Sequence, residues 1–250
     1  MKRLLIRADD LGFSQGVNCG IVRSVKEGLV SSVGIMTNMP AAAEGVEWLK
    51  GSAVCFGQHT NICAGRPLTD PDLIPSLVNA NGEFKSSRQY REAFRNGIDF
   101  VQLEEVVREI KAQYYRFREL TGREPEYFEA HAIASANLSR GLEIVAEEFG
   151  LPLLPFSFEP TRFGSSVLRV RMESMNPDYD PYDFIYRCIA EATDEYVDAV
   201  VCHPGYLDAY ILQHSSLTIP RALEVDMLCD PAVREKISEA GIALVSYNDL

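Results

Sequence analysis

The chain has 250 residues, 46% of them hydrophobic, and a formal net charge of −12. That length buries a sizeable core as one barrel-sized domain or two small ones. The acidity argues against nucleic acid or an anionic membrane as a partner, because both require a basic surface. No stretch approaches the ~18 consecutive apolar residues of a membrane span, and the first ten residues turn charged too soon for a signal peptide.

Apolar runs alternate with helical patterns along the chain. Residues 3–8 read as a strand that stops at two acids, Asp9 and Asp10. Ser14 is a candidate N-cap, after which Val17, Ile21, Val22, Val25 and Leu29 recur at helical spacing. A second strand is expected over 33–36, a helix over 41–50 closed by Gly51, and a third strand over 53–59. From Cys63 to about Gly97 the pattern dissolves into Gly, Pro, Asn and Asp, a long loop of the kind that serves as a functional lid. A helix over 103–120 ends at Gly122. A short strand over 127–131 and a helix over 139–149 follow. Residues 153–158 and 167–172 are ambiguous strand segments. A helix over 181–192 leads to a buried strand over 197–202. Residues 219–240 are helical with a break at Pro231, and 242–247 form the last strand.

Seven or so βα units in ~250 residues match a single-domain β/α barrel, TIM-like but with seven or irregular strands and a long active-site loop. A doubly wound sheet would give a similar alternation. Its glycine fingerprint after the first strand is missing, and two acids stand there instead. Cys19, Cys55, Cys63, Cys188, Cys202 and Cys229 form no Cys-x-x-Cys pair. That spacing supports neither structural zinc nor a disulfide framework. They read as small buried residues of a reducing, cytoplasmic protein.

Position points to the chemistry. Asp9 and Asp10 follow the first strand, His59 ends the third, His131 ends the strand around Phe128, and His203 follows the strand over 197–202. In a parallel β/α fold these carboxyl ends converge on one face. The fourth histidine, His214, falls in a polar loop and has no assigned role. Two adjacent acids repel unless a cation sits between them. Neutral imidazoles and a carboxylate around a divalent ion leave positions open for water and substrate. A second carboxylate can then act as general base, and an imidazole opposite can protonate a leaving amine. This inventory suits hydrolysis of an amide or ester. No Gly-x-Ser-x-Gly elbow or P-loop points elsewhere. Among the aromatic residues that could stack on a sugar, Tyr206 beside His203 stands out.

At these residues the chain resembles the YdjC-like carbohydrate deacetylases, which include chitooligosaccharide deacetylases. The carrying segments are Arg7-Ala8-Asp9-Asp10-Leu11-Gly12, where the family has Asn first, and Gly57-Gln58-His59-Thr60-Asn61-Ile62 with Gly65-Arg66-Pro67-Leu68. Asn81-Gly82-Glu83-Phe84, Glu109 with Gln113, and Cys202-His203-Pro204-Gly205-Tyr206 with Arg221 and Glu224 complete the match. The resemblance implies a β/α-barrel-like fold, often a homodimer, that removes an N-acetyl group from a short sugar. It implies Asp10, His59 and His131 as ligands of a divalent metal (magnesium or zinc first, then cobalt or nickel). It makes Asp9 the general base, His203 the acid or transition-state stabiliser, and Arg221 a bidentate partner that orients an acid. No organic cofactor is implied.

One departure stands out. The family's Asp-Ser-His-x-His-x-His cluster reads here Glu129-Ala130-His131-Ala132-Ile133-Ala134-Ser135, so two later histidines have become Ile133 and Ser135. An arginine expected near Leu154-Pro155 is also absent. An altered substrate, weak activity or a catalytically silent sugar-binding protein are the alternatives this leaves. A sugar-phosphate or other amide hydrolase is a further one. It would need a basic clamp, for which Arg66 and Arg88 in the long loop are the candidates.

Overall fold

A computed structural model describes residues 1–155 and 157–250. Strands β1 (Arg3–Leu11), β2 (Ser32–Ile35), β3 (Cys55–Thr60), β4 (Tyr127–Ala130), β5 (Thr161–Phe163), β6 (Ser166–Arg171), β7 (Val197–Cys202) and β8 (Ala243–Val245) form one sheet. Its order is β4-β3-β2-β1-β7-β6-β5. Every pairing on that path is parallel except the β5–β6 hairpin. The short β8 pairs with Arg3 to Leu5 of β1, while β2 takes the next part of β1, from Arg7 onward. Among the described residues β4 and β5 are the two ends of the path and do not pair. The barrel is therefore an open, curled sheet of irregular form.

Alternation along β1 shows how the sheet divides its two faces. Leu4, Ile6 and Ala8 belong to the outer core. There they pack with Val17 and Ile21 of α1 (Gln15–Lys26) and Met227 and Leu228 of α8 (Ile219–Cys229). Leu5, on the opposite face, joins Cys55, Tyr127, Leu168 and Ala199 in a plug inside the curl. Each of the leucines, isoleucines, valine and methionine among them stabilises the fold by roughly 1.5–3 kcal/mol when fully buried. A third cluster packs α4 (Leu103–Thr121) and α5 (Ala136–Phe149) against Phe128 of β4.

Most expected elements are present. Ser14 caps α1, its side chain accepting from Val17 N. Gly122 and Gly150 end α4 and α5 in the left-handed region. The helix expected to close at Gly51, α2 (Ala42–Trp48), ends at Leu49. The expected helix over 181–192 is α6 (Pro181–Glu191). The break near Pro231 is Asp230, which ends α8 and caps α9 (Pro231–Glu239). The strand expected over 153–158 contains Phe156, which lies outside the described residues; Leu153 makes a single parallel bridge to Phe128.

The long loop is not featureless: α3 (Ser87–Arg95) forms within it, started by a Ser86–Gln89 capping box. Two buried residues of α4 anchor that loop. Glu109 accepts from Leu68 N and Thr69 N, and Gln113 holds both backbone groups of Asn61. A further short helix, α7 (Ala209–His214), contains the histidine expected in a loop. No helix among the described residues is long and apolar enough to cross a membrane.

Candidate active site

β1 does not stop at Ala8; it runs through both acids to Leu11. Between Ala8 and Leu11 its register against β2 slips, two steps on β2 matching three on β1. This is a β-bulge, a device that re-aims side chains beside active sites. The bulge contains Asp10, whose φ of 77° is unusual for any residue but glycine. In a regular strand consecutive side chains point to opposite faces. Here Asp9 and Asp10 line the same cavity.

That cavity has a volume of about 630 Å³ and lies at the carboxyl ends of the strands. His59, His131, His203, Glu129 and Arg221 line it with the two acids. Asp10 Oδ1 lies 3.3 Å from His59 Nε2 and 3.3 Å from His131 Nδ1, and the two nitrogens are 2.9 Å apart. Asp10 Oδ1 is buried and has no hydrogen-bond partner. A buried carboxylate oxygen without a partner is costly. An oxygen and two imidazole nitrogens within 2.9–3.3 Å of one another suit ligands sharing one divalent ion at ~2.1 Å. The donors therefore fit the metal that the sequence implied.

Around these three stands an outer ring. Glu129 Oε1 bonds His59 Nδ1, the arrangement that fixes the tautomer of a metal-binding histidine. Arg221 Nη2 meets Asp10 Oδ2 at 2.7 Å, while its Nε donates to Leu217 O. The contact to the acid is single, not the bidentate pair expected from sequence. Burial alone would raise the Asp10 carboxyl, but Arg221 and the two histidines hold it well below the usual range. Burial likewise opposes charge on His131, yet Cys63 and Asp10 raise it to about 9.

Asp9 differs. Its Oδ2 accepts from Arg7 Nη2 at 2.8 Å, and its Oδ1 has no hydrogen-bond partner. Gly34 of β2 lies beneath it. A Cβ at that position would come within 2.8 Å of Asp9 Oδ1 and 3.2 Å of His59 Cβ.

His203 approaches from β7. Its turn rests on α1, where Gly205 lies against Gly20 so closely that a Cβ on Gly20 would be 2.4 Å from Gly205 Cα. Glu224 Oε2 accepts from His203 N, and Ser174 Oγ lies 3.0 Å from His203 Nδ1. Burial pushes the His203 imidazole down to about 4 and the Glu224 carboxyl up to about 7.

The structure thus brings together all six residues singled out from sequence. His214 also lines the cavity, its ring stacked on Tyr210. Arg66 and Arg88 do not serve as a clamp there: Arg66 donates to Asn81 O and Arg88 pairs with Glu92. Arg91 of α3 lines the wall instead. The two altered positions are also placed. Ser135 caps α5 and donates to Asp99, and Ile133 packs in the core under α5. Neither lines the main cavity, although Ile133 borders a smaller pocket beside it. Sequence reasoning missed Arg7 and the role of Glu129. The period-two inward face of β1 and β4 is the signal that would have found them.

A family model described as YdjC-like protein matches residues 3–239. The chain belongs to this family. This YdjC-like protein is 32% identical over 253 residues to Carbohydrate deacetylase 2 of Listeria innocua serovar 6a, covering 99% of this chain and 98% of the relative. It is 30% identical over 261 residues to the Chitooligosaccharide deacetylase of Serratia marcescens, covering 100% and 99%. Among solved structures, it superposes with a TM-score of 0.84 on an Enterococcus faecalis V583 protein described as a candidate for cellobiose-phosphate cleavage. Identity there is 26%, over 99% of this chain and 98% of that one.

Proposed function

We propose that this YdjC-like protein is a metal-dependent deacetylase of small N-acetylated sugars or oligosaccharides, with residues 1–250 acting as one domain. The observation that carries the reading is the grouping of Asp10 Oδ1, His59 Nε2 and His131 Nδ1 within 3.3 Å of one another, with the unpartnered Asp9 Oδ1 in the same cavity. Curated relatives named carbohydrate and chitooligosaccharide deacetylases, aligned over nearly the whole chain, supply the substrate class.

In this reading Asp10, His59 and His131 hold one divalent ion, zinc or magnesium first and cobalt or nickel next. Such an ion polarises a carbonyl oxygen and makes water more acidic. Asp9 Oδ1 takes the proton from the attacking water, its other oxygen being held by Arg7. His203 faces the same space with a depressed pKa, so it acts as a neutral hydrogen-bond donor. When Nδ1 accepts from the Ser174 hydroxyl, the ring proton sits on Nε2. That Nε2–H stabilises charge developing on substrate by hydrogen bonding, and the proton taken up by Asp9 is the one that passes to the departing amine, returning Asp9 to its ionised form. Arg221 keeps Asp10 ionised and oriented.

The six free cysteines suit a reducing, cytoplasmic setting, and a homodimer is the assembly to test by light scattering. The function is tested by acetate release from diacetylchitobiose with zinc, magnesium, cobalt or nickel added. Metal-dependent release is the expected result. Folded protein that releases none with any of these ions would defeat the reading.

A further inference from the structure

We propose that Arg7 is the positioning residue for Asp9: its guanidinium selects which Asp9 oxygen is free and fixes where that oxygen points. The inference rests on the deacetylase reading above. Arg7 lies two residues before Asp9 on the inward face of β1, a place where a barrel interior ordinarily carries a branched apolar residue. Burying a guanidinium costs several kcal/mol unless carboxylates and hydrogen bonds compensate it.

Arg7 has those partners. Nη2 lies 2.8 Å from Asp9 Oδ2 and 3.8 Å from Glu129 Oε2, and Nη1 donates to Tyr247 Oη at 3.3 Å. The guanidinium also stands over the Tyr127 ring, 5.5 Å from its centroid. Tyr247 and Tyr127 are both buried, so the guanidinium has little room to move.

Charge is divided accordingly. Three carboxylates, Asp9, Asp10 and Glu129, converge on one cavity wall. Arg221 contacts Asp10, the carboxylate of the proposed ligand trio with His59 and His131; Asp9, His59 and Glu129 form a second cluster close enough to hold an ion. Arg7 contacts Asp9 and stands near Glu129. With Oδ2 occupied, Asp9 presents Oδ1, the oxygen without a partner. Among the described residues no other group hydrogen-bonds the Asp9 carboxylate, so without Arg7 nothing holds it in one rotamer. A displacement of about 1 Å at a reacting group costs roughly 10²-fold in rate.

The test is a double-mutant cycle on full-length protein loaded with one divalent ion, measuring acetate release, bound metal and melting temperature. Arg7→Gln is expected to lower kcat about 10- to 100-fold, with KM within about two-fold and metal stoichiometry unchanged. Added to Asp9→Asn, the same change should lower the residual rate by less than about two-fold, because its target is already disabled. Arg7→Lys keeps the charge without the planar fork and should recover part of kcat. It replaces Arg7→Gln in the cycle if the latter does not fold.

Equal losses in both backgrounds, wild-type kcat in Arg7→Gln, or a raised KM at unchanged kcat would each overturn the proposal. If wild-type protein releases no acetate at all, the deacetylase reading fails separately. The crystal structure of Arg7→Gln then decides. The proposal requires the Asp9 carboxylate to shift by about 1 Å or more, and an unmoved Asp9 overturns it.

Discussion

Arg221 Nη2 holds Asp10 Oδ2 at 2.7 Å, with both side chains almost wholly buried. The pair joins the bulge of β1 to α8, and it leaves Asp10 Oδ1 turned toward His59 and His131. Removing one partner of such a pair strands a charge away from water. Arg221→Met is expected to destabilise the metal-free protein by about 3–5 kcal/mol, read as a lower denaturant midpoint. An unchanged midpoint would show that Asp10 does not depend on the guanidinium.

In the proposed metal site, Glu129 would act on the ion through His59. Glu129→Gln keeps the shape but removes the charge that orients the imidazole. Metal affinity is expected to fall roughly 10- to 100-fold, measured by isothermal titration. Affinity equal to wild type would make Glu129 a structural neighbour only.

Gly34 has no room for a side chain, since a Cβ there would lie 2.8 Å from Asp9 Oδ1. Gly34→Ala should displace Asp9 or His59, at a cost of about 1–3 kcal/mol in stability and on the order of 10²-fold in kcat. Steady-state kinetics with a thermal melt separates the two effects. Full activity would mean that the β2 backbone yields and Asp9 does not.

Glu224 and His203 titrate in opposing directions. The folded Glu224 carboxyl, raised by burial to about 7 from 4.5, binds a proton that the unfolded chain has released. Stability from this group therefore falls as pH rises from about 4.5 to 7. The folded His203 imidazole, lowered by burial to about 4 from 6.5, refuses a proton that the unfolded chain accepts. Its contribution is lost as pH falls from about 6.5 to 4. Glu224→Gln should remove the first trend and steepen the net rise of stability with pH over this window, by on the order of 1–3 kcal/mol in all. Unfolding curves at several pH values test this; slopes identical to wild type would contradict it.

Much of this geometry was readable because the strands announce themselves. The apolar run of β7 ends at Cys202, so the sequence alone places His203 at the carboxyl end of the sheet. The same logic placed His59 and His131. What could not be read was the bulge at Asp10, which depends on a backbone turn into the left-handed region and not on any apolar period. Ending β1 at its last apolar residue hid the fact that Arg7 and Asp9 share a face. Helix α3 was missed for a related reason: only Tyr90 is buried in it, so it has almost no apolar stripe and is defined by its capping box. His214 looked like loop because α7 spans six residues, too few for a helical period to register. The loss of two histidines at Ile133 and Ser135 suggests an altered substrate or lost activity, yet neither position lines the main cavity: one fills core and the other caps a helix.

The most direct test of the ion site is an anomalous difference map from crystals of this protein grown with zinc or cobalt, recorded at the metal edge. One peak bounded by Asp10 Oδ1, His59 Nε2 and His131 Nδ1, absent in crystals of His59→Ala, is the predicted result. Stoichiometric metal located anywhere else, or a peak that persists in His59→Ala, would contradict it.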